Sequence, residues 1–288
     1  MAIPDCPPAL PPLRRPSFIL PQGAVDCHFH IFGPKPAYPY AAGRSYTPPD
    51  ASVAQYEKLA ATLGIARAVI VQPSVYGMDN RRTLDAIKES RLISRAVVVL
   101  DPGTPEAELD KLHEIGVRGV RINLLFKAGL ALESAVALAD EIRDLGWHLQ
   151  FLADVSEIED LPDLVRRLKV PVVFDHLGHM PISKGIQNRG FQNLLGLLRD
   201  GLAWVKISGA ERTSALDAPP FDDIRPVLDA LIGANPNRLV WGTDWPHPAI
   251  PKSVPEDAEL LDAFGGWIDD DTISNLIFVD NPNQLYLF

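Results

Sequence analysis

The residues able to do chemistry collect at the ends of three apolar runs. These are Val25-Asp26-Cys27-His28-Phe29-His30, Val172-Val173-Phe174-Asp175-His176 and Val240-Trp241-Gly242-Thr243-Asp244-Trp245-Pro246-His247-Pro248. Side chains alternate along a strand, so His28 and His30 share one face. Imidazole binds metals, shuttles protons and donates to a developing oxyanion. A carboxylate at Asp244, after an apolar run, is costly to bury unless it is paired or working. The work that fits it is general base catalysis: accepting a proton from water as the water attacks a carbonyl. If the three runs are strands of one barrel, His28, His30, His176 and Asp244 meet at its mouth.

Around this centre the sequence offers a cationic set. Arg121 and Asn123 share a face of a fourth apolar run, with Lys127 in the loop beyond it; Lys206 lies on a seventh run and Arg212 in the loop that follows. Arginine suits bidentate recognition of a carboxylate. Tyr46, Ser74, Tyr76, His179 and His247 are loop polar groups placed to complete an anion-binding pocket. Asp26 is expected either to orient one imidazole or to cap the barrel floor. Asp175 is expected to face the helix layer, and Cys27 to point away from the two histidines. His113, inside a helical pattern, and His148, at the start of its strand, are expected to be structural.

The elements that must position these groups alternate along the chain. Strand-like runs fall at 24–30, 68–73, 95–100, 117–123, 147–152, 170–176, 203–208 and 238–243. Helical patterns separate most of them: 51–63 ending at Gly64, 81–91, a helix capped by Thr104 with Pro105 in its first turn and ending at Gly116, 132–145, 156–168, 190–198 and 221–232. Eight strands joined by helices predict an α/β fold, a (β/α)8 TIM barrel over 23–288. A doubly wound open sheet ranks second, because no Gly-rich phosphate turn follows the first strand. The long segments 31–50, 74–80, 124–131, 177–189 and 209–220 would roof one face. Residues 1–22 form a Pro-rich N-terminal extension, with proline at 4, 7, 8, 11, 12, 16 and 21. Proline fixes φ and removes a donor, so this arm is neither helix nor central strand. It lies on the barrel, on a neighbouring subunit of a homo-oligomer, or free.

Composition narrows the class. The chain has 288 residues, 47% of them hydrophobic, enough for one large domain with a sizeable core. A net charge of −10 and an absent basic stripe argue against nucleic acid as a partner. Cys6 and Cys27 are the only cysteines, so no disulfide framework is expected. No apolar run reaches the roughly 20 residues that span a bilayer. No signal peptide is legible either, and a cytoplasmic protein is expected.

Asp-x-His-x-His on the first strand, Asp175-His176-x-Gly178 after the sixth and Trp241-Gly242-Thr243-Asp244-Trp245-Pro246-His247 on the eighth together resemble the amidohydrolase superfamily. More narrowly, the chain resembles the 2-pyrone-4,6-dicarboxylate lactonase group, whose relatives act on muconolactone-type and sugar-acid lactones. The likeness runs from about Gly23 to the C-terminus and includes Ile70-Val71-Gln72-Pro73-Ser74, Asp79-Asn80 and Arg118-Gly119-Val120-Arg121-Ile122-Asn123. It implies a TIM barrel that hydrolyses a small anionic lactone. In that scheme Asp244 activates water, His28, His30 and His176 surround the carbonyl, and Arg121, Arg212, Tyr46 and Ser74 hold substrate carboxylates.

The departures bear on metal and substrate. Leu152 stands where metal-dependent relatives carry a fifth-strand histidine, and the fourth strand offers Asn123, so a bridged two-metal centre is not expected. The resemblance implies a metal-free site, with one Zn²⁺ on His28, His30 and Asp244 as the alternative. His179 stands where the resemblance leads one to expect an arginine, and another arginine is expected near Lys127, which points to a lactone other than pyrone dicarboxylate, bearing one carboxylate or a sulfonate. Lactone isomerisation on the same pocket is a second chemistry, and a non-catalytic lactone-binding barrel ranks last.

Overall fold

The computed structural model describes residues 3–125, 132–250, 253–268 and 270–288. Its sheet has eight strands in sequence order: β1 (Val25–Phe29), β2 (Arg67–Val71), β3 (Ile93–Val98), β4 (Val117–Asn123), β5 (His148–Leu152), β6 (Val172–Phe174), β7 (Ala203–Lys206) and β8 (Leu239–Val240). Every paired neighbour is parallel. The circle closes through backbone bonds beyond β8: Cys27 N–H donates to the Trp241 carbonyl at 2.9 Å, Asp244 N–H to that of His28 at 2.7 Å, and His30 N–H to that of Trp245 at 2.8 Å. The fold is therefore a TIM barrel, and the open sheet is excluded.

Helices α1 (Val53–Leu63), α2 (Arg81–Glu89), α3 (Glu106–Ile115), α4 (Leu132–Ile142), α5 (Leu161–Leu168) and α6 (Arg189–Arg199) form the crossovers up to β7. The short α7 (Ala210–Thr213) and then α8 (Arg225–Ala234) follow that strand, and α9 (Asp257–Trp267), α10 (Asp271–Asn275) and α11 (Asn281–Tyr286) close the chain. α1 starts where Ser52 and Gln55 form a capping box and stops where Gly64 turns left-handed at φ +87°. The cap expected of Thr104 is not made. α3 begins after Pro105, and the Thr104 hydroxyl donates backward to the Asp101 carbonyl at 2.7 Å instead. Among the described residues no helix is long and apolar enough to cross a membrane.

Two apolar layers result from strand alternation. Outward residues such as Ile70, Val120, Phe151 and Phe174 pack on the helices. Inward residues Val25, Cys27, Val69, Val71, Val97, Val173 and Val240 fill the barrel floor, where Trp204, Leu285 and Tyr286 join them. Cys27 thus faces the barrel interior, contrary to the strict alternation of the sequence. The β1–β2 ladder shifts register between Asp26 and Phe29, so Cys27 joins the floor while His28 stands in the polar layer above it.

The arm follows its own barrel. Cys6 N–H donates to the Thr47 carbonyl and Thr47 N–H to that of Pro4, each at 2.8 Å. Farther on, the backbone N–H groups of Ser17 and Phe18 both donate to Asp262.

Asp26 orients no imidazole. Its carboxylate accepts from the backbone N–H of His28 (2.9 Å) and Thr243 (3.0 Å) and from the hydroxyls of Thr243 (2.6 Å) and Tyr56 (2.9 Å). It thereby ties β1 to the end of β8, where the site is built. Burial pushes this carboxyl up to about 6, against the pull of those donors. Asp26→Ala leaves these donors buried without an acceptor, at about 1–3 kcal/mol each. A loss of at least about 3 kcal/mol is expected in denaturant unfolding, and a loss under about 1 kcal/mol would show that the clamp is dispensable.

Candidate active site

Two left-handed turns bring the key side chains together. Asp244 follows β8 with φ +63° and His176 follows β6 with φ +50°, conformations that non-glycine residues adopt at a cost and that cluster at functional sites. On β6 the alternation sends Val173 inward to the floor and Phe174 outward to the helices. Asp175 therefore points inward, and the left-handed turn then swings His176 over the same mouth. The expectation that Asp175 faces the helices is overturned. Two glycines make room: a Cβ on Gly242 would lie 2.6 Å from the His28 nitrogen, and one on Gly209, at φ +68°, 2.7 Å from His176 Nδ1.

Asp244 is the hub. Its Oδ2 accepts from Arg212 Nε at 2.5 Å. Its Oδ1 is buried and has no hydrogen-bond partner among the described residues. Three imidazoles face that oxygen: His28 Nε2 at 3.6 Å, His30 Nε2 at 3.7 Å and His176 Nε2 at 3.8 Å. Each ring is held from behind. His30 Nδ1 meets the Val71 carbonyl at 2.7 Å, and His176 Nδ1 meets Ser208 Oγ at 3.0 Å. His28 Nδ1 faces Asp175 Oδ1 and Lys206 Nζ, each at 3.3 Å.

Burial sets the charge states. It drives His28 down to about 3, with Lys206 adding to the fall, and drives His30 and His176 well below the usual imidazole range. The rings are neutral, so their contacts with Asp244 are not ion pairs. Burial lifts Asp244 to about 6, while Arg212 restrains the rise. Burial would lift Asp175 too, but Lys206, His28 and Arg121 outweigh it and hold this carboxyl well below its ordinary value.

Above the hub lies a cavity lined by His30, Tyr46, Ser74, Arg121, Leu152, His176, His179, Arg212, Asp244 and Pro248. Two guanidiniums and one carboxylate line it, so its lining favours an anionic guest. Tyr46 and Ser74 approach each other at 3.4 Å between hydroxyls. Both arginines are partly committed. Arg212 NH2 donates to the Pro248 carbonyl at 3.0 Å, and Arg121 NH1 donates to that of Gln72 at 2.9 Å.

Several residues named from the sequence lie elsewhere. His28 stands beneath the cavity rather than on its wall. Tyr76 turns its hydroxyl to the Gly33 N–H at 2.8 Å, and Asn123 Oδ1 accepts from the Leu125 N–H at 3.0 Å. Lys127 falls outside the described residues. His113 accepts from Trp147 Nε1 at 3.0 Å, and His148 meets the Tyr286 ring edge-on at 5.1 Å, both structural roles.

His247 is not on the cavity wall. It is locked behind the hub between Glu211 (3.3 Å) and Asp257 (3.1 Å). Burial opposes its charge, yet these carboxylates prevail and raise it to about 10. A raised imidazole stabilises the fold fully below its unfolded value of about 6.5, and the contribution disappears as pH climbs through about 10. The stability gap between wild type and His247→Gln is therefore expected to be about 3 kcal/mol at pH 6, as for a broken buried pair. It should shrink steadily towards pH 10, whereas a constant gap would contradict the charged assignment.

Residue type and spacing also fit a metal. The ligand atoms of His28, His176 and Asp244 lie within 4.8 Å of one another, and His30 Nε2 is 3.3 Å from His28 Nε2. With the orphaned Asp244 Oδ1 among them, these groups could hold one divalent cation. The contributors that sequence pattern missed are Asp175, Gln150, whose amide donates to Asp175 Oδ2 at 3.1 Å, Ser208 and the Glu211–Asp257 pair. Only strand parity on β5 and β6 could have flagged the first two.

The amidohydrolase family profile matches residues 25–288, and the chain belongs to that family. It is 36% identical over 282 residues to a 2-pyrone-4,6-dicarboxylate hydrolase of Comamonas testosteroni, covering 94% of this chain and 92% of that one. It is 35% identical over 281 residues to a 4-sulfomuconolactone hydrolase of Hydrogenophaga intermedia, covering 96% and 91%. A D-galactarolactone isomerase of Agrobacterium fabrum is 30% identical over 277 residues, covering 94% and 93%.

Proposed function

We propose that this chain hydrolyses the ring ester of a small anionic lactone. The observation that carries the proposal is the buried, unpartnered Asp244 Oδ1, aimed among three imidazoles beside a cavity lined by Arg121 and Arg212. The relatives that act on a dicarboxylate pyrone and on a sulfonated lactone support the same substrate class.

In this scheme a water bound beside Asp244 gives it one proton, and its oxygen adds to the lactone carbonyl carbon. His30, whose own proton is directed at Val71, turns its other nitrogen towards the same carboxylate oxygen of Asp244 at 3.7 Å. His176 faces the carbonyl from the cavity wall, while His28 supports His30 and Asp244 from below. The tetrahedral intermediate collapses with cleavage of the ring C–O bond. The departing alkoxide takes the proton back from Asp244, leaving one hydroxyl and one carboxylic acid, which ionises to a carboxylate and releases its proton to solvent. Arg121 and Arg212, with Tyr46 and Ser74, hold the anionic substituent, and His179 lies where it can add a contact. A divalent cation held by His28, His30, His176 and Asp244 would supply Lewis-acid polarisation of the carbonyl.

The base must be ionised to act. With Asp244 at about 6, kcat/KM is expected to rise tenfold per pH unit below 6 and to level off above it. A profile flat from pH 4.5 to 8 would remove Asp244 from the role. The proposal is tested by acid release from a panel of carboxylated and sulfonated lactones, with chelator present and again with added Zn²⁺. Release from at least one lactone is expected, and silence under both conditions contradicts hydrolysis. Isomerisation is favoured as a second scheme by the likeness to the galactarolactone isomerase; it would consume the lactone without releasing acid.

A further inference from the structure

The proposed hydrolysis leaves one buried group unused. Lys206 is fully buried beneath His28. Its ammonium donates to the Cys27 carbonyl at 2.9 Å and to Gln150 Oε1 at 2.7 Å. One hydrogen remains, with two neighbours to receive it: His28 Nδ1 at 3.3 Å and Asp175 Oδ1 at 3.4 Å.

The choice follows from proton placement one ring away. A carbonyl only accepts, so the His30 Nδ1 contact to Val71 requires the His30 proton on Nδ1. In a neutral ring, Nε2 is then a bare lone pair. It lies 3.3 Å from His28 Nε2, and two lone pairs at that distance repel. His28 therefore carries its proton on Nε2, its Nδ1 is bare, and Nδ1 takes the remaining Lys206 hydrogen. A metal needs the opposite arrangement: a bare His28 Nε2, with the Nδ1 proton given to a carboxylate behind it. Asp175 Oδ1, 3.3 Å from Nδ1, is such a carboxylate, but Lys206 competes for that nitrogen.

We propose that Lys206 keeps this histidine-rich centre from taking up divalent metal, by holding the His28 proton on the nitrogen a metal would use. Its positive charge, one imidazole away from the ligand atoms, acts in the same direction. Lys206→Met removes both effects. His28 Nδ1–H can then donate to Asp175, two bare Nε2 atoms face each other beside Asp244, and a cation relieves their repulsion.

The test uses the purified, metal-stripped protein titrated with Zn²⁺ against a chromophoric chelator. Lys206→Met is expected to bind one Zn²⁺ per chain at least tenfold more tightly than wild type, the scale on which groups behind metal ligands act. Adding His28→Ala to that variant should abolish the gain and so place it at this site. A second measurement needs no folded variant at Lys206. In wild type, ¹⁵N NMR of the histidine rings, with His28 assigned by the signals lost in His28→Gln, should find the His28 proton on Nε2. Equal Zn²⁺ affinity in the two proteins, or a wild-type His28 protonated on Nδ1, overturns the proposal. Neither readout contains a substrate, so both are independent of the reaction proposed above.

Discussion

Asp244→Asn is expected to lower kcat about a thousandfold or more while KM changes little. Asparagine keeps an oxygen for the Arg212 Nε contact, so the bound geometry survives. It cannot accept a proton from water. General base catalysis contributes about 10²–10⁴ in rate, and a thousandfold loss corresponds to about 4 kcal/mol of barrier. Cooperative unfolding should persist with a midpoint close to wild type, so the loss reads as chemistry rather than misfolding. Steady-state kinetics with circular dichroism checks both halves. A variant retaining more than a tenth of wild-type kcat would remove Asp244 as the base.

Replacement of Arg212 by methionine is expected to have the second largest effect, because this side chain has two roles. It lines the cavity and it restrains the rise of Asp244. KM should climb as the anion loses a guanidinium, and kcat should fall as the carboxylate loses its anchor. Together these should lower kcat/KM by about 10³. The pH dependence gives the sign. Burial raises Asp244 and Arg212 lowers it, so without Arg212 the carboxyl moves above about 6 and stays protonated to higher pH. The acid limb of the rate profile then shifts upward, and the deficit is deeper at pH 6 than at pH 8. A limb that stays at the wild-type position would show that Arg212 does not govern the base. Loss of this buried pair should also cost about 3 kcal/mol of stability, which urea unfolding would report.

The barrel and the end at which its polar residues gather were legible because both follow from short-range rules. Eight apolar runs separated by helical patterns define the architecture, and polar residues at the ends of β1, β6 and β8 mark the mouth. What was not legible depends on departures from regular alternation. The register shift in β1 sends Cys27 to the floor. Asp175 looks peripheral until β6 parity is fixed by Val173 and Phe174, and His176 reaches the site only through a positive φ. His247 follows Asp244 in a proline-rich loop, yet its partners Glu211 and Asp257 come from α7 and α9, elements brought together only by closure. Lys206 announces itself as a lysine on an apolar strand. Its meaning lies in which hydrogens it gives away, and that depends on four other strands.

The most direct test of the central claim is to run the reaction in H₂¹⁸O with the lactone that releases acid fastest and to weigh the product. Water activated by Asp244 places one ¹⁸O in the newly formed carboxylate of the ring-opened acid, and Asp244→Asn forms that product at a thousandth of the rate or less. A product without ¹⁸O, or the labelled acid formed at wild-type rate by Asp244→Asn, would contradict it.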